Sequence, residues 1–137
     1  MAKVSMSTDL SASADEVWKM IGQFNALPDW HPAVEKSELT EAGQTRTLSL
    51  AGGGKIIEKL EKVDEDARTY TYSIVDSPLP VANYTSTITV TGEGPNSKIE
   101  WSSEFDPATG ATPEDAMKAI QGVYQAGFDN LRKMFGG

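Results

Sequence analysis

The feature that most constrains the fold is a change in the spacing of apolar residues along the chain. Between residues 34 and 105, apolar side chains recur at alternate positions, which is typical of strands that are wet on one face. After residue 112, apolar or small side chains lie three or four positions apart, which indicates a helix of about 20 residues. Six consecutive strands cannot bury their inner faces alone, so we expect this helix to cover them. The pattern predicts an α+β fold in which a curved antiparallel sheet wraps around a C-terminal helix.

Local signals predict the individual elements. An alternating N-terminal segment, with Val4 and Met6 on one face, predicts a first strand. A capping box at Ser13 and Glu16 begins a short helix, and a second short helix or turn is expected around Trp30. The remaining predicted elements are strands at Val34–Thr40, Thr45–Leu50, Lys55–Val63, Arg68–Val75, Asn83–Thr91 and Lys98–Phe105, and a helix at Pro113–Phe135.

Composition narrows the chemistry. The 137 residues include no cysteine and one histidine, which excludes disulfides, thiol catalysis, iron–sulfur clusters and multi-histidine metal sites. The net charge of −8 argues against nucleic acid or an anionic membrane surface as a partner. The length suits one domain spanning residues 1–137, and no apolar run approaches the roughly 20 residues of a membrane-spanning helix. Since the N-terminus lacks a secretory signal core, we expect a cytoplasmic protein.

Five segments carry a resemblance to a known family. They read SADEVW at 13–18, WHPAV at 30–34, RTYTYSI at 68–74, PLPVANY at 78–84 and IEWS at 99–102. Through them the sequence resembles the bacterial polyketide cyclase/dehydrase family of the START-related (SRPBCC) superfamily. It is more distantly similar to the plant abscisic acid receptors and the birch pollen allergen class. The resemblance implies a helix-grip fold, with seven antiparallel strands around the long helix and two short helices after the first strand.

The resemblance also implies a function and parts of a site. Proteins of this class hold lipid-, polyketide- or aromatic-like ligands in a cavity between sheet and helix, and only some are enzymes. Two loops close the cavity in the hormone receptors, and the matching segments here are 51–54 and 77–80. Pocket residues of those receptors match Lys36, Glu58 and Tyr84. We expect no cofactor and no metal.

Strand parity singles out Glu58 independently. Glu58 shares a face with Ile56 and Leu60, and that face continues the inward parity of the neighbouring strands. A five-residue turn would place Leu48 opposite Glu58 with Arg46 on the diagonal, and pairing Leu60 with Tyr70 would place Tyr72 opposite Glu58. The expected result is a polar cluster on the concave face. The alternatives are an ion pair at the sheet edge, or the opposite parity with Glu58 in solvent.

The remaining candidates are weaker signals. His31 is either a general base at the cavity mouth or a hydrogen-bonded loop residue. The glycine run at 52–54 before Lys55 fits a hairpin turn better than a phosphate-binding loop, because strands flank it on both sides. Gly127 lies on the inward stripe of the long helix, where it leaves room for a ligand or a close strand. The full set expected to contact a ligand is Trp30, His31, Arg46, Leu48, Glu58, Leu60, Tyr72, Tyr84, Ser86, Trp101, Ser103, Ile120, Tyr124 and Gly127.

Three functions remain open at this point. The first is a binding or carrier protein for a small hydrophobic ligand, without nucleic acid and without membrane insertion. The second is a cyclase, dehydratase or hydrolase that uses Glu58, Tyr72 or His31 for acid–base chemistry on such a ligand. The third is an interaction module whose cavity is largely filled. A non-enzymatic binding protein is the favoured interpretation, and the sequence leaves the oligomeric state open.

Overall fold

The computed structural model describes residues 2–40, 43–92 and 94–136. Three helices are present in this part of the chain: α1 at Ala14–Ile21, α2 at Leu27–Trp30 and α3 at Pro113–Phe135. The strands are β1 at Ala2–Leu10, β2 at Val34–Thr40, β3 at Thr45–Leu50, β4 at Lys55–Asp64, β5 at Thr69–Asp76, β6 at Val81–Thr91 and β7 at Ser97–Pro107.

All seven strands form one antiparallel sheet in the order β1-β7-β6-β5-β4-β3-β2. Helix α3 packs on the concave face, where its Ile120, Tyr124 and Phe128 are fully buried together with Ile88 and Phe105 of the sheet. The predicted helix-grip architecture, with two short helices after the first strand, is therefore confirmed. No helix in the described ranges combines the length and the hydrophobicity that crossing a bilayer requires.

The helix ends follow the local chemistry of the sequence. The Ser13 hydroxyl accepts the Glu16 backbone N–H at 3.2 Å, as the predicted capping box requires, and the Glu16 carboxylate accepts from the Ser13 hydroxyl and not from its backbone N–H. At α3 the Thr112 hydroxyl accepts the Asp115 N–H at 3.0 Å, and Pro113 occupies a position that needs no N–H donor. These caps fix where α3 begins and hence which of its side chains face the sheet.

The strand registers differ from the predicted ones. Arg46, not Leu48, lies opposite Glu58, because the turn between β3 and β4 is shorter than the five residues on which the prediction depends. Tyr72 pairs with Leu60, so the predicted pairing of Leu60 with Tyr70 is wrong by two positions. The pairing is set by the turn at 65–68, which brings Asp64 opposite Thr69, and by a bulge between Leu60 and Lys62 that shifts the register by one residue.

Several strand ends also differ from the predicted ones by one or two residues. Arg68 was expected to begin β5, but its φ of 53° places it in the left-handed region of a turn. Strand β6 begins at Val81, two residues earlier than predicted, and bulges around Asn83, whose φ is 54°.

Candidate ligand-binding cavity

A cavity of about 220 Å³ lies between the concave face of the sheet and α3. Most of its wall is aliphatic or aromatic, and the polar side chains on it belong to His31, Glu58, Tyr72 and Tyr84. The apolar lining comprises Leu27, Ala33, Val34, Leu48, Leu50, Ala51, Ile56, Ile74, Leu79, Trp101, Ile120 and Val123. A filled core, as the interaction-module hypothesis requires, is not what the structure contains.

A buried ion pair supports one side of this wall. Arg46 Nε and Nη2 donate to the same Glu58 oxygen, Oε1, at 2.8 and 2.7 Å, and the two side chains are 2% and 7% exposed. The Arg46 guanidinium also donates through Nη1 to the Phe24 carbonyl, and it lies over the Phe24 ring at 4.0 Å and the Tyr72 ring at 5.2 Å. Glu58 lines the cavity and Arg46 lies behind it. The pair therefore presents a carboxylate to the cavity.

Burial and charge act in opposite directions on the pair. Burial raises the pKa of Glu58 above the usual glutamate value, and the charge and hydrogen bonds of Arg46 offset this only in part. Burial lowers the pKa of Arg46, but the charge and hydrogen bond of Glu58, together with Tyr70 and Tyr72, outweigh burial, so Arg46 remains protonated. The Arg46 guanidinium offsets the energetic cost of burying the Glu58 carboxylate.

A chain of hydroxyl groups runs from Tyr84 on the cavity wall to the buried Tyr124 and Ser86. Ser86 donates its proton to the Ser102 carbonyl at 2.9 Å, so it must accept the Tyr124 proton across a further 2.9 Å. The Tyr124 oxygen then accepts the proton of Tyr84 at 2.5 Å. Burial, opposed by these bonds, raises the pKa of Tyr124 to about 12. The Tyr84 proton is thus committed inside the protein and is not available to a ligand.

His31 is held in one neutral tautomer. Its Nε2 lies 2.7 Å from the Val123 carbonyl, which can only accept, so Nε2 carries the proton. Its Nδ1 accepts the Ala33 backbone N–H at 3.2 Å. Burial lowers the pKa of His31, and the bond to Val123 opposes this only partly. Both ring nitrogens are occupied, so the geometry favours the hydrogen-bonded loop residue over the general base.

The depressed pKa of His31 predicts a pH-dependent stability. The unfolded chain takes up a proton near the ordinary pKa of about 6.5 while the native imidazole stays neutral, so stability is lost as pH falls below that value. His31→Gln is expected to flatten this dependence between about pH 7 and 5, by at most ~1.4 kcal/mol per pH unit. Urea unfolding of both proteins at several pH values measures the difference, in which the opposite contribution of Glu58 cancels. Parallel profiles would contradict the prediction.

Two side-chain hydrogen bonds connect helix α3 to the segment around His31. The Asn130 side chain donates to the Trp30 carbonyl at 2.8 Å, about two turns beyond the bond from His31 to Val123. Between these bonds lies Gly127, where an added Cβ would come within 3.0–3.2 Å of ring atoms of Trp30, His31 and Trp101. The space left by Gly127 is therefore filled by protein rings and not by a ligand.

The two loops implied by the resemblance lie side by side. An added Cβ on Gly54 would be 3.8 Å from Pro78 Cγ, and Ala51 and Leu79 both line the cavity. All three glycines at 52–54 have positive φ, which suits the predicted hairpin turn. The segment is flanked by β3 and β4 and precedes no helix, so it is not a phosphate-binding loop.

The structure brings together part of the predicted site. Predicted residues on the cavity wall are His31, Leu48, Glu58, Tyr72, Tyr84, Trp101 and Ile120. Those buried behind the wall are Trp30, Arg46, Ser86, Ser103, Tyr124 and Gly127. Leu60 is half-buried farther along β4. Lys36 points away from the cavity: its side chain is 66% exposed and pairs with Glu38 at 2.6 Å, so it does not serve as a carboxylate anchor.

Several wall residues were not predicted. Parity would have found Leu50, Ile56 and Ile74, which share faces with Leu48, Glu58 and Tyr72, and helical spacing would have found Val123, three residues after Ile120. The sequence holds no comparable signal for Leu27, Ala33, Val34, Ala51 and Leu79. Across residues 2–40, 43–92 and 94–136, no three histidine or acidic side chains converge to hold a metal ion.

Comparison with solved structures assigns the class. A START superfamily protein from Mycobacterium smegmatis superposes with a TM-score of 0.81 at 13% identity, over 98% of this chain and 97% of that one. Norcoclaurine synthase from Thalictrum flavum, solved with dopamine and hydroxybenzaldehyde, gives a TM-score of 0.69 at 23% identity, over 96% and 84% of the two chains. At these identities the likeness is one of fold. The fold and the cavity between sheet and helix define a START-like helix-grip protein.

Sequence comparison assigns the family. The family described as polyketide cyclase / dehydrase and lipid transport matches residues 1–136, and the chain belongs to it. The protein XoxI from Bacillus cereus is 42% identical, with a TM-score of 0.95 over 98% of this chain and 96% of that one. No curated protein sequence matches the chain.

Proposed function

We propose that this protein binds a small, mainly apolar ligand about the size of a substituted single ring. The observation that carries the proposal is the apolar cavity of about 220 Å³ between sheet and α3. Apolar cavities of roughly 150 Å³ accept benzene, whereas sites for drug-sized ligands usually span about 300–1,000 Å³. A monocyclic ligand fits this space.

The family and the fold support the proposal at a coarser level. The family description includes both polyketide cyclases and lipid transport, which share apolar ligands. Norcoclaurine synthase was solved with two single-ring aromatic compounds, so the helix-grip fold has a precedent for ligands of this size. Burying the apolar surface of a ring supplies the driving force, at about 25 cal/mol per Å².

Ring-sized probes test the proposal directly. NMR titration with p-xylene is expected to shift amide signals of residues around the cavity. Val123→Phe places a larger side chain on the cavity wall and is expected to weaken p-xylene binding about tenfold or more, equivalent to roughly 1.4 kcal/mol. Val63→Phe is the matched control, because Val63 is 46% exposed on β4 and lies outside the cavity. Failure of every ring-sized probe to bind, or equal effects of the two variants, would contradict the proposal.

An enzymatic function is the second candidate. Glu58 and Tyr72 place two titratable groups on the same wall, and acid–base catalysis needs such groups at the reacting atom. Native mass spectrometry of the protein purified from its host would weigh a retained ligand. An enzyme would release that ligand chemically changed on incubation, and a carrier would release it unchanged.

A further inference from the structure

We propose that the cavity selects neutral ring compounds that carry a hydroxyl group, such as phenols, over carboxylates and over rings without a hydrogen-bonding group. This inference rests on the proposed binding function and specifies its ligand class. It follows from which hydrogen-bond donors and acceptors on the cavity wall are already paired within the protein and which are not. Besides Trp101, four side chains on the wall have hydrogen-bonding atoms: His31, Glu58, Tyr72 and Tyr84.

Two of the four have no proton to donate to a ligand. His31 uses Nε2 on the Val123 carbonyl and Nδ1 on the Ala33 N–H. Tyr84 has committed its proton to Tyr124. The Trp101 indole N–H, also at the wall, is committed to the Tyr72 oxygen at 3.0 Å. None of these groups has a proton left to donate to a ligand.

Glu58 contributes an open acceptor. Both Arg46 donors converge on Oε1, and Oε2 has no hydrogen-bond partner among the described residues. Arg46 approaches from behind the wall, so the unpaired oxygen belongs to the side that faces the cavity. A carboxylate oxygen in this setting gains from a donor that a ligand brings.

Tyr72 contributes an open donor. Its oxygen accepts from Trp101, and no residue in the described part of the chain accepts its own proton. Because Glu58 pairs with Ile74 and Leu60 pairs with Tyr72, Glu58 and Tyr72 are diagonal neighbours on one face of the β4–β5 pair. Diagonal side chains of this length reach a common ligand group. The wall therefore offers one acceptor and one donor side by side.

A ligand hydroxyl satisfies both groups at once, since it donates to Glu58 and accepts from Tyr72. A carboxylate does not: it has no proton for Glu58 and would bring a second negative charge beside it. In the described part of the chain the wall carries no lysine or arginine to balance that charge, and Lys36 faces solvent. A ring without polar groups leaves both the Glu58 oxygen and the Tyr72 hydroxyl proton without a hydrogen-bond partner.

The test compares 4-methylphenol with p-xylene, which has nearly the same shape but carries a methyl group in place of the hydroxyl, and with benzoate. We expect 4-methylphenol to bind the intact protein about tenfold or more tightly than p-xylene, as a hydrogen bond to a charged group would provide. Benzoate is expected not to compete. NMR titrations at one pH and salt concentration give all three constants.

Substitutions identify the groups responsible. Glu58→Gln presents an amide in place of the free carboxylate oxygen, and it is expected to reduce the preference for 4-methylphenol about tenfold. Glu61→Gln is the matched control, because Glu61 lies on the outer face of β4, where it accepts from Ser73 at 2.6 Å. The control is expected to keep the preference. Tyr72→Phe provides a second reading if Glu58→Gln does not fold, and it is expected to reduce the preference as well.

The outcomes separate this inference from the proposed function. If p-xylene binds but 4-methylphenol shows no preference, or if Glu61→Gln reduces the preference as much as Glu58→Gln, the hydroxyl selectivity is overturned and the binding function stands. If benzoate binds more tightly than 4-methylphenol, the charge argument is overturned. If neither ring compound binds, both proposals fall.

Discussion

Arg46→Met is expected to lower the free energy of unfolding by about 3–5 kcal/mol, the usual cost of leaving one member of a buried ion pair unpaired. The substitution removes both hydrogen bonds to Glu58 Oε1 and the contacts with Phe24 and Tyr72. Without the guanidinium, the pKa of Glu58 rises further above the usual value. The native protein then binds a proton that the unfolded chain releases, so the loss grows as pH rises and shrinks as pH falls.

The double variant Arg46→Met/Glu58→Leu is the matched comparison. Replacing both charges by apolar side chains removes the desolvation cost together with the pairing, and such replacements are commonly neutral or stabilising. We expect the double variant to unfold within about 1 kcal/mol of the parent protein, which makes the coupling energy of the cycle large. Chemical denaturation of the four proteins measures it. Single variants that each cost under about 1 kcal/mol would show that the pair is not energetically coupled.

The second large effect is a contrast between two glycines of α3. Gly127→Ala is expected to destabilise the protein by about 1–2 kcal/mol, because the added methyl meets three buried rings, and the helix gain of ~1 kcal/mol offsets only part of the overpacking. Gly122→Ala is expected to stabilise it by about 0.5–1 kcal/mol, since Gly122 is exposed and has no atom within 4 Å of an added Cβ.

Both variants carry the same chemical change in the same helix, so their difference isolates the contact of Gly127 with Trp30, His31 and Trp101. Thermal or urea unfolding gives the sign for each. Equal shifts for the two variants would mean that the rings of Trp30, His31 and Trp101 move to accommodate the added methyl group. The contact between α3 and the segment around His31 would then not be rigid.

The fold was predictable because its signals are local. Alternation along the strands fixes which side chains face inward, and the caps at Ser13 and Thr112 fix where two helices begin. Register was not predictable in the same way. It depends on the number of turn residues and on the positions of bulges in β4 and β6, which the apolar pattern of a single strand does not specify. The shift by two positions kept Arg46 and Glu58 on the inner face and changed only which residues are opposite.

The candidate site was predictable in part for a related reason. Parity correctly placed Glu58 and Tyr72 on the inner face, but it does not say how deep a residue lies. Arg46, Tyr124 and Ser86 have inward parity too, yet they sit behind the wall, because larger neighbours and hydrogen bonds hold them there. Wall residues from the loops and α2 depend on how these segments fold back over the sheet, which no periodicity encodes.

The hydrogen bonds between α3 and the segment around His31 have a kinetic consequence. Opening the cavity on that side breaks two side-chain hydrogen bonds, from His31 to Val123 and from Asn130 to Trp30. On the other side, the turn tip at Gly52 and Gly53 is exposed and has no atom within 4 Å of an added Cβ. If the proposed ligand passes this turn, its entry and exit cross the same barrier. A change that stiffens the turn should slow both rates by the same factor and leave the equilibrium constant unaltered.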